Sequence, residues 1–166
     1  MVESIPNILT LARLALTSVF LIMILYSPFA ANKSLFLDVT FVVFVAAGLT
    51  DLIDGFVARQ LNVATKFGRM MDPLADKFLI CGAFVCFAMI GEPKLFDLNR
   101  ASLSLIHWLV VGILVARETY VTTLRHIAEA RGVNFAATFS GKIKMLTQCF
   151  AIGTVIIKMA HVQTAT

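Results

Sequence analysis

Long apolar runs with few charged residues are the feature that most constrains this sequence. Five of them extend from Ile8 to about Tyr26, Leu35 to about Arg59, about Met70 to Ile90, about Leu103 to Ala130, and about Ser140 to Ala160. A membrane-spanning helix needs about 20 apolar residues. Only 14% of the 166 residues are charged, whereas soluble domains have about 25%. A soluble globule and a disordered chain are therefore excluded.

The fold expected from these runs is an all-α, polytopic transmembrane helical bundle with five spans, forming a single domain over residues 1–166. Membrane strands would alternate polar and apolar residues over about 10 positions, and these runs do not. A signal peptide is an alternative for the first run. Glu3, the lack of a basic leader, and Arg13 inside the run favour a span instead.

Basic residues in the connections predict the orientation, because cytoplasmic loops of membrane proteins are enriched in Lys and Arg. Two connections are rich in them: Arg59, Lys66 and Arg69 in one, and Arg131, Lys142 and Lys144 in the other. The opposite connections carry Lys33, and Lys94 and Arg100 balanced by Glu92 and Asp97. We expect a multi-pass protein of the cell (inner or cytoplasmic) membrane, with the N-terminus inside and the C-terminus outside. The net charge of +4 then indicates basic loops that face an anionic membrane surface, and not binding to nucleic acid.

Four aspartates stand out where the second segment ends and the third begins. Asp51 and Asp54 are three residues apart, and Asp72 and Asp76 are four apart. Each pair therefore shares one face of its helix. The short connection predicts that the two helices are neighbours, so that all four carboxylates can converge at one membrane face.

Converging carboxylates cannot all stay ionised in a low-dielectric site without compensating cations. Hard oxygen ligands favour Mg²⁺, Mn²⁺ or Ca²⁺. The alternative is helix capping, and Asp72 followed by Pro73 does resemble an N-cap with proline at the first helical position. Capping does not explain all four aspartates, and ionisable residues inside a membrane are usually functional. The pattern therefore favours a metal site.

Small and basic residues next to the aspartates suggest room for a ligand. Gly55 and Ala58 are three residues apart beside Asp54, and could serve either close helix packing or a bound ligand. Arg59 is suited to a phosphate. Gly68 could instead be a turn residue. A phosphate-containing substrate beside the metals is the interpretation that we prefer.

The pattern matches a known signature: Asp, two residues, Asp-Gly, two residues, Ala-Arg, eight residues, Gly, three residues, Asp, three residues, Asp. By these eight positions the chain resembles the CDP-alcohol phosphatidyltransferase family. The similarity runs from about Ile5 to Ile157. It is strongest to the bacterial branch of the family that uses glycerol 3-phosphate, through the motifs Pro6–Thr10 with Arg13, Thr65–Gly68, Asp72–Lys77, Ala116–Glu118 with Leu124-Arg125, and Gly141–Lys144.

The resemblance implies a membrane enzyme of phospholipid biosynthesis that moves the phosphatidyl group from CDP-diacylglycerol to sn-glycerol 3-phosphate, giving phosphatidylglycerophosphate and CMP. It implies two divalent cations, Mg²⁺ or Mn²⁺, held by Asp51, Asp54, Asp72 and Asp76. Asp76 would also be the catalytic base. Family members usually have six spans, whereas five are predicted here. A homodimer is expected.

Substrate-binding roles follow from the same resemblance. The CDP and pyrophosphate site would comprise Asn7, Thr10, Asp51, Gly55, Ala58, Arg59 and Gly68. The acceptor phosphate requires a cationic pocket, for which the candidates are Arg117, Arg125, Lys142 and Lys144. These four residues could instead be interfacial anchors that extend toward the headgroups.

Three other functions remain as alternatives. The same family could act on a different acceptor, as a cardiolipin-synthase-like or inositol-phosphate-using enzyme. A cation or proton transporter also contains buried carboxylates, but it would place them near mid-membrane. A non-catalytic membrane subunit would leave the eight-position motif unexplained.

Overall fold

Five helices coincide with the five apolar segments. The computed structural model describes residues 4–61, 66–94, 99–130 and 139–162, with side chains for 11–50, 77–94, 99–124, 127–128 and 146–162. The helices are α1 (Ser4–Tyr26), α2 (Lys33–Leu61), α3 (Lys66–Ile90), α4 (Arg100–Ala130) and α5 (Phe139–His161). The all-α fold class is confirmed.

Local chemistry explains where two of the helices end. A short 3₁₀ turn, Ser27–Phe29, follows α1 and contains Pro28 in its first positions, where proline is tolerated. At the end of α3, Gly91 has a φ of 73°, and the N–H of Glu92 donates to the carbonyl of Phe87 at 3.0 Å. This hydrogen bond and a glycine in the left-handed region form a Schellman-type helix end.

Three of the helices are long and apolar enough to cross a membrane: Leu11–Phe29, Lys33–Thr50 and Arg100–Leu124. In the described parts of α3 and α5 the apolar stretches are shorter, Lys77–Ile90 and Leu146–His161. Large apolar side chains are exposed along α4, including Leu105, Trp108 and Ile113. Such a surface suits lipid and not water. A membrane protein with several spans is supported, and the count of five spans stays a prediction.

In the part of the chain that the structure describes, the hydrophobic core cluster is formed by four helices, α1, α2, α3 and α5. Among the described residues, α1 packs extensively against both α2 and α3, and α5 contacts both of them as well. The buried cluster comprises Phe20, Ile24, Leu37, Phe44, Leu79, Ile80, Ala83, Cys86, Phe87, Ile152, Ile156 and Met159. Helix α4 packs on α3, outside this cluster.

The expected direct pairing of α2 with α3 differs from the packing observed. In the described residues these two helices share no contact as extensive as those each makes with α1. Leu61 and Lys66 are only five residues apart, so their Cα atoms are at most about 18 Å apart. The short connection therefore keeps the facing ends of α2 and α3 near each other. In the described residues each of the two helices packs on both α1 and α5.

Contacts between helix ends show that the helices alternate in direction. Lys33 at the start of α2 lies 3.8 Å from Glu92 just after α3. His161 at the end of α5 has its Nε2 2.9 Å from Oδ1 of Asp38 in α2. His107 in α4 has its Nε2 3.2 Å from the carbonyl oxygen of Pro93. We call this end of the bundle the distal face. The start of α1, the end of α2, the start of α3, the end of α4 and the start of α5 therefore lie toward the opposite end.

Gly82 permits the close approach of α3 to α1. A Cβ atom at position 82 would lie 2.8 Å from Cδ1 of Leu21, whereas one at Gly112 would have nothing within 4 Å. We expect Gly82→Leu to lower the melting temperature in detergent by roughly 3–10 °C, since overpacking costs about 1–3 kcal/mol. Gly112→Leu is the matched control, with little change expected. Equal melting temperatures for the two variants would contradict this view of the α1–α3 contact.

Candidate active site

The four aspartates lie inside their helices and not in the connection between them. Asp54 and Asp72 are seven and six residues from the facing ends of α2 and α3, which is about 10 Å along the helix axis. Asp51 and Asp76 are each ten residues from those ends, about 15 Å. The positions therefore form two levels, each with one aspartate from α2 and one from α3. Their side chains lie outside the described ones.

The capping interpretation of Asp72 is wrong. Helix α3 begins at Lys66, so Asp72 and Pro73 are both in its interior. A proline there cannot donate a hydrogen bond to the carbonyl four residues earlier, which belongs to Arg69, and its ring strains the helix. This position stabilises neither helix end. An interior aspartate beside a helix-weakening proline favours a functional role for Asp72.

The other predicted site positions fall toward the same end of the bundle, opposite the distal face. The helices place them as follows: Asn7 and Thr10 in α1, Gly55, Ala58 and Arg59 in α2, Gly68 in α3, Arg125 in α4, and Lys142 and Lys144 in α5. Their side chains are outside the described set. The structure thus brings these positions to one end, and their contacts with one another stay predictions.

Helix α4 presents one stripe of residues to α3. Its buried or half-buried positions recur every three or four residues: Leu103, His107, Val111, Leu114, Glu118 and Thr122. By helical periodicity, position 125 continues this stripe and position 117 does not. Of the two predicted acceptor arginines, Arg125 is therefore in register with the face that packs on α3.

Arg117 is tied to its neighbour in the chain. Its Nη1 donates to Oε1 of Glu118 at 3.0 Å, and its side chain is 45% exposed against 11% for Glu118. A half-exposed guanidinium that already pairs with a carboxylate has donors left over, because arginine carries five N–H groups. Arg117 can still approach an anion, but it lies on a different side of α4 than position 125.

Lys77 provides a contact that the sequence pattern did not reveal. It directly follows Asp76 in α3, and its Nζ donates to the hydroxyl oxygen of Thr122 in α4 at 2.7 Å. The Thr122 hydroxyl in turn donates to the carbonyl of Glu118 at 2.7 Å. The two partners are 45 residues apart in the chain, so only the structure joins them.

Arg13 is a second residue for which the structure adds information, because it shows that the side chain is buried. It was part of the matched motif but had no assigned role, and it is buried in α1 with 1% of its surface exposed. Thr17, one turn further along, is fully buried as well. A buried arginine in an apolar helix is costly and usually belongs to a functional site. Arg13 lies about 14 Å along α1 from Ser4, comparable to the depth of Asp51 and Asp76.

Elsewhere in the described side chains, the structure shows no group of three His, Cys, Asp or Glu residues that could hold a metal ion. A pocket of about 830 Å³ lies on the distal face, lined by residues such as Lys33, Asp38, Glu92 and Lys158. It is at the other end of the bundle from the aspartates. The aspartate motif therefore remains the candidate for the catalytic centre.

The described helices form a helical membrane protein that carries the aspartate motif toward one end of the bundle. The family model for CDP-alcohol phosphatidyltransferases matches residues 3–166. The chain belongs to the CDP-alcohol phosphatidyltransferase family and is an enzyme of this class.

Curated relatives resemble the chain over most of its length. A probable phosphatidylglycerophosphate synthase of Mycobacterium tuberculosis is 34% identical over 159 residues, covering 96% of this chain and 68% of the relative. The CDP-diacylglycerol–glycerol-3-phosphate 3-phosphatidyltransferase of Bacillus subtilis is 35% identical over 162 residues, covering 93% and 77%. The enzyme of the same name from Rickettsia typhi is 31% identical over 155 residues, covering 93% and 77%.

Proposed function

We propose that this chain transfers the phosphatidyl group of CDP-diacylglycerol to sn-glycerol 3-phosphate, producing phosphatidylglycerophosphate and CMP for phospholipid biosynthesis. The observation that carries the proposal is the eight-position aspartate motif, placed on two helices whose facing ends are joined by a short connection. The names of the relatives support glycerol 3-phosphate as the acceptor. The whole chain would act as one catalytic domain.

The donor set suits divalent cations. Carboxylates are hard oxygen ligands, and two levels of paired aspartates offer enough of them for two ions of Mg²⁺ or Mn²⁺. Asp51, Asp54 and Asp72 would hold the ions, with Asp76 completing the site. When bound, such ions neutralise the pyrophosphate of the donor and stabilise the charge that develops on the departing phosphate.

The remaining residues bind substrates and move one proton. The CDP moiety and its pyrophosphate would lie against Asn7, Thr10, Gly55, Ala58, Arg59 and Gly68, with Asp51 beside them. Asp76 accepts the proton of the acceptor hydroxyl while the hydroxyl oxygen attacks the phosphorus that bears diacylglycerol. A bond from that phosphorus to the acceptor oxygen forms, the bond to the oxygen bridging to CMP breaks, and CMP departs.

The acceptor carries its own phosphate, for which four cationic residues are proposed: Arg117, Arg125, Lys142 and Lys144. The α3-facing register of position 125 supports Arg125 in particular. Bidentate hydrogen bonding makes arginine well suited to phosphate. Arg117, which already pairs with Glu118, would contribute charge from the side of the pocket.

The proposed location is the cell membrane of a bacterium, with the active site facing the cytoplasm. The support is the excess of Lys and Arg in and near the helix ends on the motif side of the bundle. Water-soluble glycerol 3-phosphate would reach the site from that side. A homodimer is part of the same proposal, and light scattering of the detergent-solubilised protein measures it.

The test is a comparison of acceptors. Purified protein is incubated with CDP-diacylglycerol and Mg²⁺ or Mn²⁺, and with glycerol 3-phosphate, inositol phosphate or phosphatidylglycerol in turn, while CMP release is measured. We expect release with glycerol 3-phosphate and little with the other two acceptors. Release only with phosphatidylglycerol would assign the chain to the cardiolipin-synthase-like alternative. Release only with inositol phosphate would assign it to the inositol-phosphate-using alternative. The transporter alternative loses its basis because the family is one of enzymes.

A further inference from the structure

The hydrogen bond between Lys77 and Thr122 joins two parts of the proposed active site. Helix α3 carries Asp72 and Asp76, whereas α4 carries the acceptor-phosphate candidates Arg117 and Arg125. Helix α4 lies outside the core and, in the described residues, packs extensively only on α3. The distance between the catalytic base and the acceptor-binding arginines therefore depends on how α4 is held against α3.

Two polar contacts hold α4 at its two ends. On the distal face, the imidazole Nε2 of His107 lies 3.2 Å from the carbonyl oxygen of Pro93. Toward the active-site end, Lys77 donates to Thr122 at 2.7 Å. Between them, the buried Val111 and the half-buried Leu114 are apolar. Apolar burial has no preferred direction, whereas a hydrogen bond fixes distance and angle.

The position of Lys77 in the chain makes this contact relevant to catalysis. Lys77 is bonded through one peptide unit to Asp76, so their Cα atoms are about 3.8 Å apart. Thr122 is three residues from Arg125 and thus on the same face of α4. A single hydrogen bond of 2.7 Å consequently connects the turn of α3 that contains Asp76 to the turn of α4 that contains Arg125.

We infer that Lys77 is a positioning residue, which sets α4 in register with α3 so that the acceptor bound by α4 meets Asp76. The inference rests on the proposed function. It predicts a selective defect: glycerol 3-phosphate binds less well and reacts more slowly, whereas CDP-diacylglycerol, assigned to α1, α2 and α3, binds normally.

Thr122→Val is the cleanest test, because it removes the hydroxyl without changing shape or charge. Thr123→Val is its matched control. Thr123 donates to the carbonyl of Thr119 at 2.9 Å, just as Thr122 donates to that of Glu118. Thr123 is exposed, and among the described side chains the hydroxyl that Lys77 contacts is that of Thr122. Both variants lose one hydrogen bond within α4, and only Thr122→Val loses the link to α3.

We expect Thr122→Val to raise the KM for the acceptor about tenfold, in line with loss of a hydrogen bond to a charged group. The KM for CDP-diacylglycerol stays within about twofold, and Thr123→Val matches the wild type. Thr122→Ser restores the acceptor KM. Lys77→Met shows at least the same acceptor defect, and adding Thr122→Val to it causes no further loss, since the two side chains act as one unit.

The kinetics are measured with whichever acceptor the wild-type protein turns over, together with melting temperatures in detergent. If the wild-type enzyme uses another acceptor, the proposed substrate is wrong, and the same variants still test the positioning role with that acceptor. The positioning role is overturned if Thr122→Val behaves like Thr123→Val, if both KM values rise alongside a lower melting temperature, or if the Lys77 and Thr122 effects are additive.

Discussion

Replacement of Asp76 by asparagine is expected to lower kcat by about 10³-fold or more, while the protein folds normally. Asparagine has nearly the same shape as aspartate but cannot accept the proton of the acceptor hydroxyl. General-base catalysis alone contributes about 10²–10⁴-fold, and Asp76 is also a proposed metal ligand. Initial rates of CMP release at saturating CDP-diacylglycerol and glycerol 3-phosphate measure the effect.

The matched control is Asp38→Asn, which makes the same chemical change on the distal face. Asp38 contacts His161 at 2.9 Å, and both side chains are more than half exposed, so losing this pair has a small effect on stability. Its turnover should equal that of the wild type. Similar helical circular dichroism and melting temperature in the Asp76 variant establish that it folds. Full activity in Asp76→Asn would remove Asp76 from the role of base.

The helices could be predicted from the sequence because their signals are local. An apolar run followed by Ser27-Pro28 specifies the end of α1 at Tyr26, and Gly91 specifies the end of α3 at Ile90. The predicted segments begin and end within about four residues of the observed helices, the usual uncertainty of such boundaries. Two starts differ by four residues: α1 begins at Ser4 instead of Ile8, and α3 begins at Lys66 instead of about Met70.

The difference at the start of α3 arises from Pro73, because local rules place a proline near the start of a helix. In the folded chain α3 begins seven residues before it, and the helix accommodates a proline in its interior. Packing of α3 against α1 supplies the stabilisation that local propensity lacks. The same difference moves Asp72 from a helix end to a helix interior, which removes capping as an alternative to the metal-site prediction.

That each pair of aspartates shares one face of its helix could be inferred from spacing alone, but helix pairing could not. The short connection predicted α2 beside α3. In the described residues α2 packs mainly on α1 and α5, and α3 packs mainly on α1 and α4. Likewise, no local pattern identifies Thr122 as the partner of Lys77, or shows that Glu118 and not Arg117 faces α3. These facts depend on which face each helix buries, and this is decided by contacts between residues far apart in the chain.

Removal of divalent metal is expected to reduce CMP release by about 10³-fold or more, with recovery on adding Mg²⁺ or Mn²⁺. Metal ions supply several kcal/mol of charge stabilisation in such reactions, and each 1.4 kcal/mol is worth about tenfold in rate. The protein is dialysed against a chelator, and the rate is then measured as a function of added metal. Bound Mn²⁺, counted by electron paramagnetic resonance, should approach two ions per chain.

Variants of single aspartates distinguish metal ions that the aspartates hold from metal ions that arrive with the substrate. If Asp51 is a ligand, Asp51→Asn should raise the Mg²⁺ concentration for half-maximal rate by about tenfold or more, since even residues that only support the ligands change affinity by about 10–100-fold. Asp38→Asn should leave it unchanged. Full activity after chelation would contradict metal dependence. An unchanged metal requirement and Mn²⁺ count in Asp51→Asn would instead place the ions on the pyrophosphate alone, leaving the aspartates without the role that their spacing predicts.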